Sequence, residues 1–581
     1  MIASTLRTTL ETSVKKIDDA EIARLMRRTH DLHALDPRHC VPKIPPQLRA
    51  SNGGLHVLVI DERIVPGRSR RAGRACRSAF RAMLNTVRHT HPGATVWLGR
   101  SNGAVRGSWL SEQEAKWLPT GIERLDATHS LCATITAVDH VYTVAALEGL
   151  HALLAGVPLH VFGGPYYAGW GLTHDSSSFP DRTVRPTLAQ FFAAVFMHCT
   201  DYIDPLTHTH GTLNSLLDSI ALQRDVAHRY QTITEPIGVQ FQRWKRPFAT
   251  PFLESGGGAV RWDNSSMSIA PHEQAVFWGA RSAQGLMGGV TQVRIEDGFL
   301  HSWGLGSDMH APRSQIVDLR GLYFDPMQPS DLTVILNETD FGDAELRRAA
   351  ALRAQIVELG LTKYNLGRRA PNWRAPAHRR IVLVPGQVAD DASIRLGTRG
   401  ITTAEALLQA VRVARPDAWI VYKPHPDVLS GNRRGMIDAA RFADVVDMHA
   451  DLISLIDAAD EVHTLSSLSG FEALLRTKKV CTYGLPFYAG WGLTEDALAQ
   501  PWRQRALTLD MLVAGALLHY PLYWDWTLKL FTTPERIVRE LAPRAGRTLI
   551  PVRNGTARSI GKAARWTRNV LMHLASQIMH R

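Results

Sequence analysis

The sequence predicts an α/β protein of Rossmann-like parallel sheets, and three observations carry that expectation. An internal repeat is present: residues 139–173 and 460–494 align without a gap, at about half of the positions identically. Each copy alternates short apolar runs with helical stretches, as in VLVPG (382–386), TTAEALLQAVRVARP (402–416) and AWIVYKP (418–424). That order, strand–helix–strand, is the signature of a parallel sheet. The 581 residues, 45% hydrophobic and 21% charged, predict several domains with well-buried cores and exclude a disordered or collagen-like chain.

The elements follow in order. Residues 1–50 read as a helical segment. Their start, MIASTLRTTLETSVKKIDD, has no apolar core of the secretory kind, so no signal peptide is expected. Residues 51–215 form the first repeat. Its upstream runs HVLVID (56–61) and VRHTHPGATVWL (87–98) resemble IVLVPG (381–386) and VRVARPDAWIVY (411–422). Residues 216–270, with ESGGGAV (254–260) and mixed polarity, read as a linker. Residues 271–375 carry AVFWGA, VTQVRIEDGFLHSWGLGS and SQIVDLRGLYFD, a series of strands and Gly-rich turns that predicts a further Rossmann-like domain. Residues 376–530 are the second repeat, and residues 531–581 a basic helical segment. The second half thus has length for two facing domains and the first half for one. No stretch offers roughly 20 clean apolar residues, so no membrane-spanning helix is expected. Five scattered cysteines without a CxxC pair argue against a disulfide framework or structural zinc.

Chemistry concentrates where strands end. KPHPD places Lys423 and His425 in a Pro-stiffened turn after AWIVY, at the strand edge where open α/β sheets bind ligands. Charge and hydrogen bonding suit such a pair to a phosphate. In HTLSSLSGFEALL, Ser466 and Ser467 precede a helix whose first turns hold Glu472. This arrangement serves either an anion and a ribose or an ordinary helix cap. Asp390 and Asp391 follow a strand in GQVADDASIRLG, and Glu296 and Asp297 follow one in IEDGFLHS. Each pair fits a turn as well as a nucleophile or base. Two carboxylates facing each other across a cleft suit glycosyl transfer with a covalent nucleophile and an acid/base. The doubled YAGWGLT reads as a packing loop around Trp170 and Trp491. Residues 559–581 place apolar and basic side chains near helical spacing, which fits either a lipid interface or a helix packed on its domain.

EDGF, GQVADDASIRLG, KPHPDV, SLSGFEALL and PFYAGWGLT, in that order, resemble the capsule polysaccharide β-Kdo transferases of the KpsC type. The resemblance is strong over residues 275–530 and weaker over 50–215. It implies tandem GT-B-like modules, of which this chain has one and a half, and retaining transfer from CMP-Kdo without a metal or other cofactor. It implies Asp391 as nucleophile and Glu296 as acid/base, with Lys423 and His425 on the CMP phosphate. Ser466, Ser467 and Glu472 would meet phosphate or ribose. Asp297 and His301 would face the acceptor, His301 standing where the family is expected to have Arg. The partners implied are a CMP-sugar, a lipid-linked glycan, the inner-membrane surface seen from the cytoplasm, and capsule assembly and export machinery.

The first repeat departs from the pattern. Pro66 or Gly67 stands in place of Asp391, GRSN (99–102) replaces KPHP, and ALEGLH (146–151) replaces SLSGFE, with His151 for Glu472. A degenerate, non-catalytic half-module is therefore expected. The alternative for the whole chain is a non-catalytic scaffold for capsule assembly or export. The net charge of +12 alone does not make a nucleic-acid binder, since no binding motif accompanies it.

Overall fold

The computed structural model describes residues 2–12, 18–36, 43–49, 53–64, 69–103, 106–126, 129–281, 284–429, 437–500, 502–549 and 556–579. Pro66 and Gly67 lie outside them. The chain forms two units, Met1–Arg229 and Tyr230–Arg581. None of the described cysteines is in a disulfide.

The first unit is built on β1 (His56–Asp61), α1 (Arg70–Thr90), β2 (Thr95–Arg100), β3 (Glu123–Arg124), β4 (His140–Thr143), α2 (Gly149–Leu154), β5 (Leu159–Val161) and β6 (His174–Asp175). The strands form one parallel sheet in the order β3-β2-β1-β4-β5-β6. Val57 to Ile60 are wholly buried, the unbroken apolar run of a strand covered on both faces. Phe80, Met83, Leu84 and Val87 give α1 its one apolar stripe. Residues 1–50 contribute the helix Asp19–Asp31, tied to Leu213–Arg229 by Arg28–Asp218 at 2.6 Å.

The second unit has two sheets. One comprises β7 (Pro236–Val239), β8 (Arg261–Asp263), β9 (Gln274–Trp278), β10 (Thr291–Asp297) and β11 (Ser314–Asp318). The other comprises β12 (Ile381–Pro385), β13 (Trp419–Lys423), β14 (Val445–Val446), β15 (Glu461–Thr464), β16 (Lys479–Thr482) and β17 (Glu495–Asp496). The chain then returns to the first of these sheets with β18 (Leu522–Asp525) and β19 (Leu530–Thr532). The repeat sheet is fully parallel, in the order β14-β13-β12-β15-β16-β17, strand for strand the topology of the first unit. Its helices include α3 (Ala392–Gly397), α4 (Ala404–Ala414) and α5 (Leu468–Leu475). The chain's last described helix is α6 (Thr556–Met579).

Two expectations need correction. Residues 216–270 are not a linker: they hold the end of the helix Leu213–Arg229, then β7, the helix Arg246–Leu253 and β8. The Gly-rich run serves close packing. A Cβ on Gly256 or Gly258 would stand 2.1 Å from Tyr230 O or 1.9 Å from Thr234 O. Nor is 271–375 a self-contained parallel domain. Its sheet, in the order β8-β7-β9-β10-β11-β18-β19, is parallel from β8 to β10 and antiparallel beyond, with edge strands from 236–263 and 522–532.

YAGWGLT makes the same clip in both copies. Trp170 and Trp491 are fully buried, and their Nε1 donate to Tyr166 O and Phe487 O, each at 2.8 Å. The hydroxyls of Tyr167 and Tyr488 donate to Ala146 O and Ser467 O at 2.5 Å. Gly149 and Gly470 make room for them, since a Cβ at either would lie 2.2 Å from the hydroxyl.

Candidate active site

A cavity of about 1320 Å³ lies between the two sheets of the second unit. All ten residues singled out in the sequence line it: Asp390, Asp391, Glu296, Asp297, His301, Lys423, His425, Ser466, Ser467 and Glu472. Nine arrive on strand ends and the turns after them, and Glu472 on α5. One wall is the end of β10; the other is the carboxyl edge of β12, β13 and β15.

On the first wall, burial and the adjacent Asp297 charge push the Glu296 carboxyl up to about 7 against the pull of Lys245 and Lys363. Burial would also raise Asp297, but His301, Lys363 and Lys245 together hold it below its ordinary value. His301 is buried, which brings its ring down to about 4, and its Nδ1 lies 3.7 Å from Asp297 Oδ1. A neutral imidazole thus replaces the permanent cation expected there. Positive charge comes instead from Lys245, over the Trp278 ring at 3.6 Å, and from Lys363. Burial works against the Lys363 ammonium, but Tyr364, Tyr323, Asp297 and Glu296 raise it well above its usual value.

On the second wall, Asp391 is the N-cap of α3; its Oδ1 accepts from Ser393 N and Ser393 Oγ, both at 2.9 Å. The turn reading of this residue is therefore realised, through one carboxylate oxygen. Asp390 is exposed beside it. The charges of Glu296, Asp391 and Asp297 all bear on the buried Tyr323 hydroxyl, which burial raises in the first place. The opposing carboxylates thus address one space.

Lys423 ends β13, and burial lowers its ammonium while Asp447 and Asp451 counteract. In the following turn His425 Nδ1 accepts from Asp427 N at 3.1 Å, so in the neutral ring Nε2 carries the proton and can donate. Asp427 also accepts from Ser307 Oγ at 2.8 Å, a bond that crosses the cleft.

The serines divide. Ser466 Oγ donates to Ser393 O at 3.0 Å and accepts from Gln387 Nε2 at 3.2 Å, joining two edge turns. Ser467 caps α5: its Oγ accepts from Ser469 N at 3.2 Å and donates to Ser469 Oγ at 2.9 Å. Burial pushes Glu472 up to about 7, although Arg476 and the Lys363 backbone N–H at 3.2 Å stabilise its charge. Lys245, Lys363, Tyr323 and Tyr364 were not singled out in the sequence; they sit in turns without a periodic signal.

The first repeat's equivalent edge is filled by its own carboxylates. Glu62, which aligns with Gln387, accepts from Thr143 Oγ1 and Val144 N at 2.9 Å and from Ala145 N at 2.7 Å. Glu148 accepts from Ser101 Oγ at 2.8 Å and Asn102 N at 2.7 Å, where the second repeat has its KPHP turn. His151 is buried against the rings of His30 and His33.

The helix α6 is turned over relative to an ordinary packed helix. Its polar side faces the protein: Arg558 pairs with Asp308 at 2.9 Å, Arg565 donates to Asp308 O at 2.6 Å, and Asn569 and His573 are buried. Lys562 reaches the cavity lining. Ile560, Trp566, Leu571 and Leu574 are exposed. No helix among the described residues is long and apolar enough to cross a membrane.

Residues 71–203 and 360–524, essentially the two repeats, match the family described as capsule polysaccharide biosynthesis protein. The capsule polysaccharide modification protein LipA of Neisseria meningitidis serogroup B is 37% identical over 478 residues, 78% of this chain and 66% of that protein. This chain therefore spans just under two thirds of that relative's length. The lipopolysaccharide-processing protein LpsZ of Rhizobium meliloti is 40% identical over 311 residues, 52% of this chain and 70% of that one. Among solved structures, the β-Kdo 2,7 transferase of Thermosulfurimonas dismutans KpsC shares 34% identity, with a TM-score of 0.44 over 53% of this chain and 99% of that one. The matched segments and the relatives agree: the chain belongs to the capsule polysaccharide biosynthesis protein family.

Proposed function

We propose that the second unit is a retaining glycosyltransferase that moves Kdo from CMP-Kdo onto a lipid-linked Kdo acceptor. One observation carries this reading: Glu296, poised near 7, and Asp391 occupy opposite walls of a cavity that also holds Lys423 and His425. In the first step an Asp391 carboxylate oxygen bonds to the anomeric carbon as its bond to the CMP phosphate oxygen breaks. The electron pair leaves with CMP, whose phosphate Lys423 and His425 hold. In the second step the acceptor hydroxyl attacks the same carbon, its proton passes to Glu296, and the Asp391 carboxylate is released. Two inversions give net retention.

Catalysis is assigned to this unit alone, because Glu62 and Glu148 already occupy the donor groups at the first repeat's edge. Membrane association is assigned to α6. Its outward apolar residues, exposed Arg568 and lack of any acidic residue suit an anionic lipid surface.

Purified protein given CMP-Kdo and a Kdo-terminated lipid acceptor should release CMP and extend the glycan with the donor's anomeric configuration. Asp391→Asn keeps a good cap for α3 but should abolish transfer. Full turnover in Asp391→Asn would remove the nucleophile assignment, and calorimetry showing no CMP binding would favour a scaffold.

A further inference from the structure

The two repeats also differ at the amino-terminal ends of their strands, opposite the edges described above. In the second repeat Arg415, Glu461, His463, Lys479, Cys481 and Glu495 form one network. Arg415 meets Glu461 at 2.9 Å, Lys479 meets Glu495 at 2.7 Å, and His463 Nε2 lies 3.1 Å from Glu461. The same alignment positions in the first repeat hold His91, His140, Tyr142, Pro158, His160 and His174. Both carboxylates and both cations are gone together, and imidazoles stand in the places of Arg415, Glu461, Cys481 and Glu495.

Three of these rings stand close enough together to share one ion. One potential ligand atom from each of His91, His140 and His160 lies within 4.8 Å of the others. His160 Nε2 and His140 Nδ1 are 3.3 Å apart. Two nitrogens bound at about 2.0–2.1 Å to one tetrahedral zinc are separated by about 3.3 Å. Their positions come from three elements: His91 just after α1, His140 on β4 and His160 on β5. The Tyr142 hydroxyl, 2.9 Å from His91 Nε2, orients that ring, and His174 stacks on His160. All three rings are partly exposed, so an ion has access.

We propose that His91, His140 and His160 bind one divalent transition-metal ion of the zinc class, with water completing the tetrahedron. The ion would pin the α1–β2 turn to β4 and β5, as the ion pairs of Arg415 and Lys479 pin the second repeat. Glu461, His463 and Cys481 also lie close enough together to hold an ion, but Arg415 and Lys479 already neutralise the carboxylate there.

The test uses the full chain, stripped with a chelator and titrated with zinc chloride by calorimetry. One saturable equivalent is expected, weakened at least about tenfold in both His140→Gln and His160→Gln and unchanged in Cys481→Ser. Zinc should also raise the unfolding temperature of the wild type, and cobalt should give the visible bands of a tetrahedral site. These two readings hold even if a histidine variant fails to fold. Absence of saturable binding, equal binding in the histidine variants, or loss in Cys481→Ser overturns the proposal. The 3.3 Å contact would then be a hydrogen bond between neutral rings.

Discussion

Replacing Glu296 by Gln should stabilise the protein at alkaline pH while impairing transfer. The ordinary glutamate value of 4.5 rises to about 7 in the fold. The folded state therefore disfavours the carboxylate, and wild-type stability falls as pH rises from the unfolded value through the folded one. From these two values the penalty is about 3 kcal/mol at pH 8 and under about 1 kcal/mol at pH 5. Partial solvent access reduces the alkaline figure to about 1–3 kcal/mol. Gln keeps the shape without the charge, so Glu296→Gln should gain that amount at pH 8 and much less at pH 5. Urea unfolding at the two pH values measures it. An equal gain at both, or a loss at pH 8, would refute the argument that burial and Asp297 oppose ionisation there.

Other outcomes follow from packing and exposure. Gly470→Ala puts a Cβ 2.2 Å from the Tyr488 hydroxyl and should cost about 1–3 kcal/mol in thermal unfolding, whereas Gly546→Ala, with nothing within 4 Å, should be near neutral. Leu571→Asp with Leu574→Asp should weaken co-sedimentation with phosphatidylglycerol vesicles by at least about a hundredfold, each leucine being worth about 1.5–3 kcal/mol when buried in lipid. Unchanged sedimentation would separate α6 from membrane binding.

The second-repeat sheet was legible because its information is local. Each strand, its turn and the next helix lie within a few dozen residues, so Lys423, His425, Ser466 and Ser467 could be assigned to strand ends. The mixed sheet was not, because β18 and β19 join β11 after some two hundred intervening residues, and such pairing leaves no periodic trace. Gly256 and Gly258 misled for a related reason: glycine that admits a neighbouring backbone has the same letter as glycine that bends a linker. Lys245 and Lys363 were hidden because their charge matters only through carboxylates that tertiary folding brings near. The hydroxyl of Ser466, expected to meet a ligand, also joins two turns, a contact that depends on Gln387 and Ser393 O and leaves no local trace.

The tryptophan clips fasten helix, strand and loop through main-chain oxygens and glycine clearances. None of those contacts depends on which side chains decorate the ligand-facing rim. Two copies of one module can thus differ residue by residue along that rim and still share a single architecture.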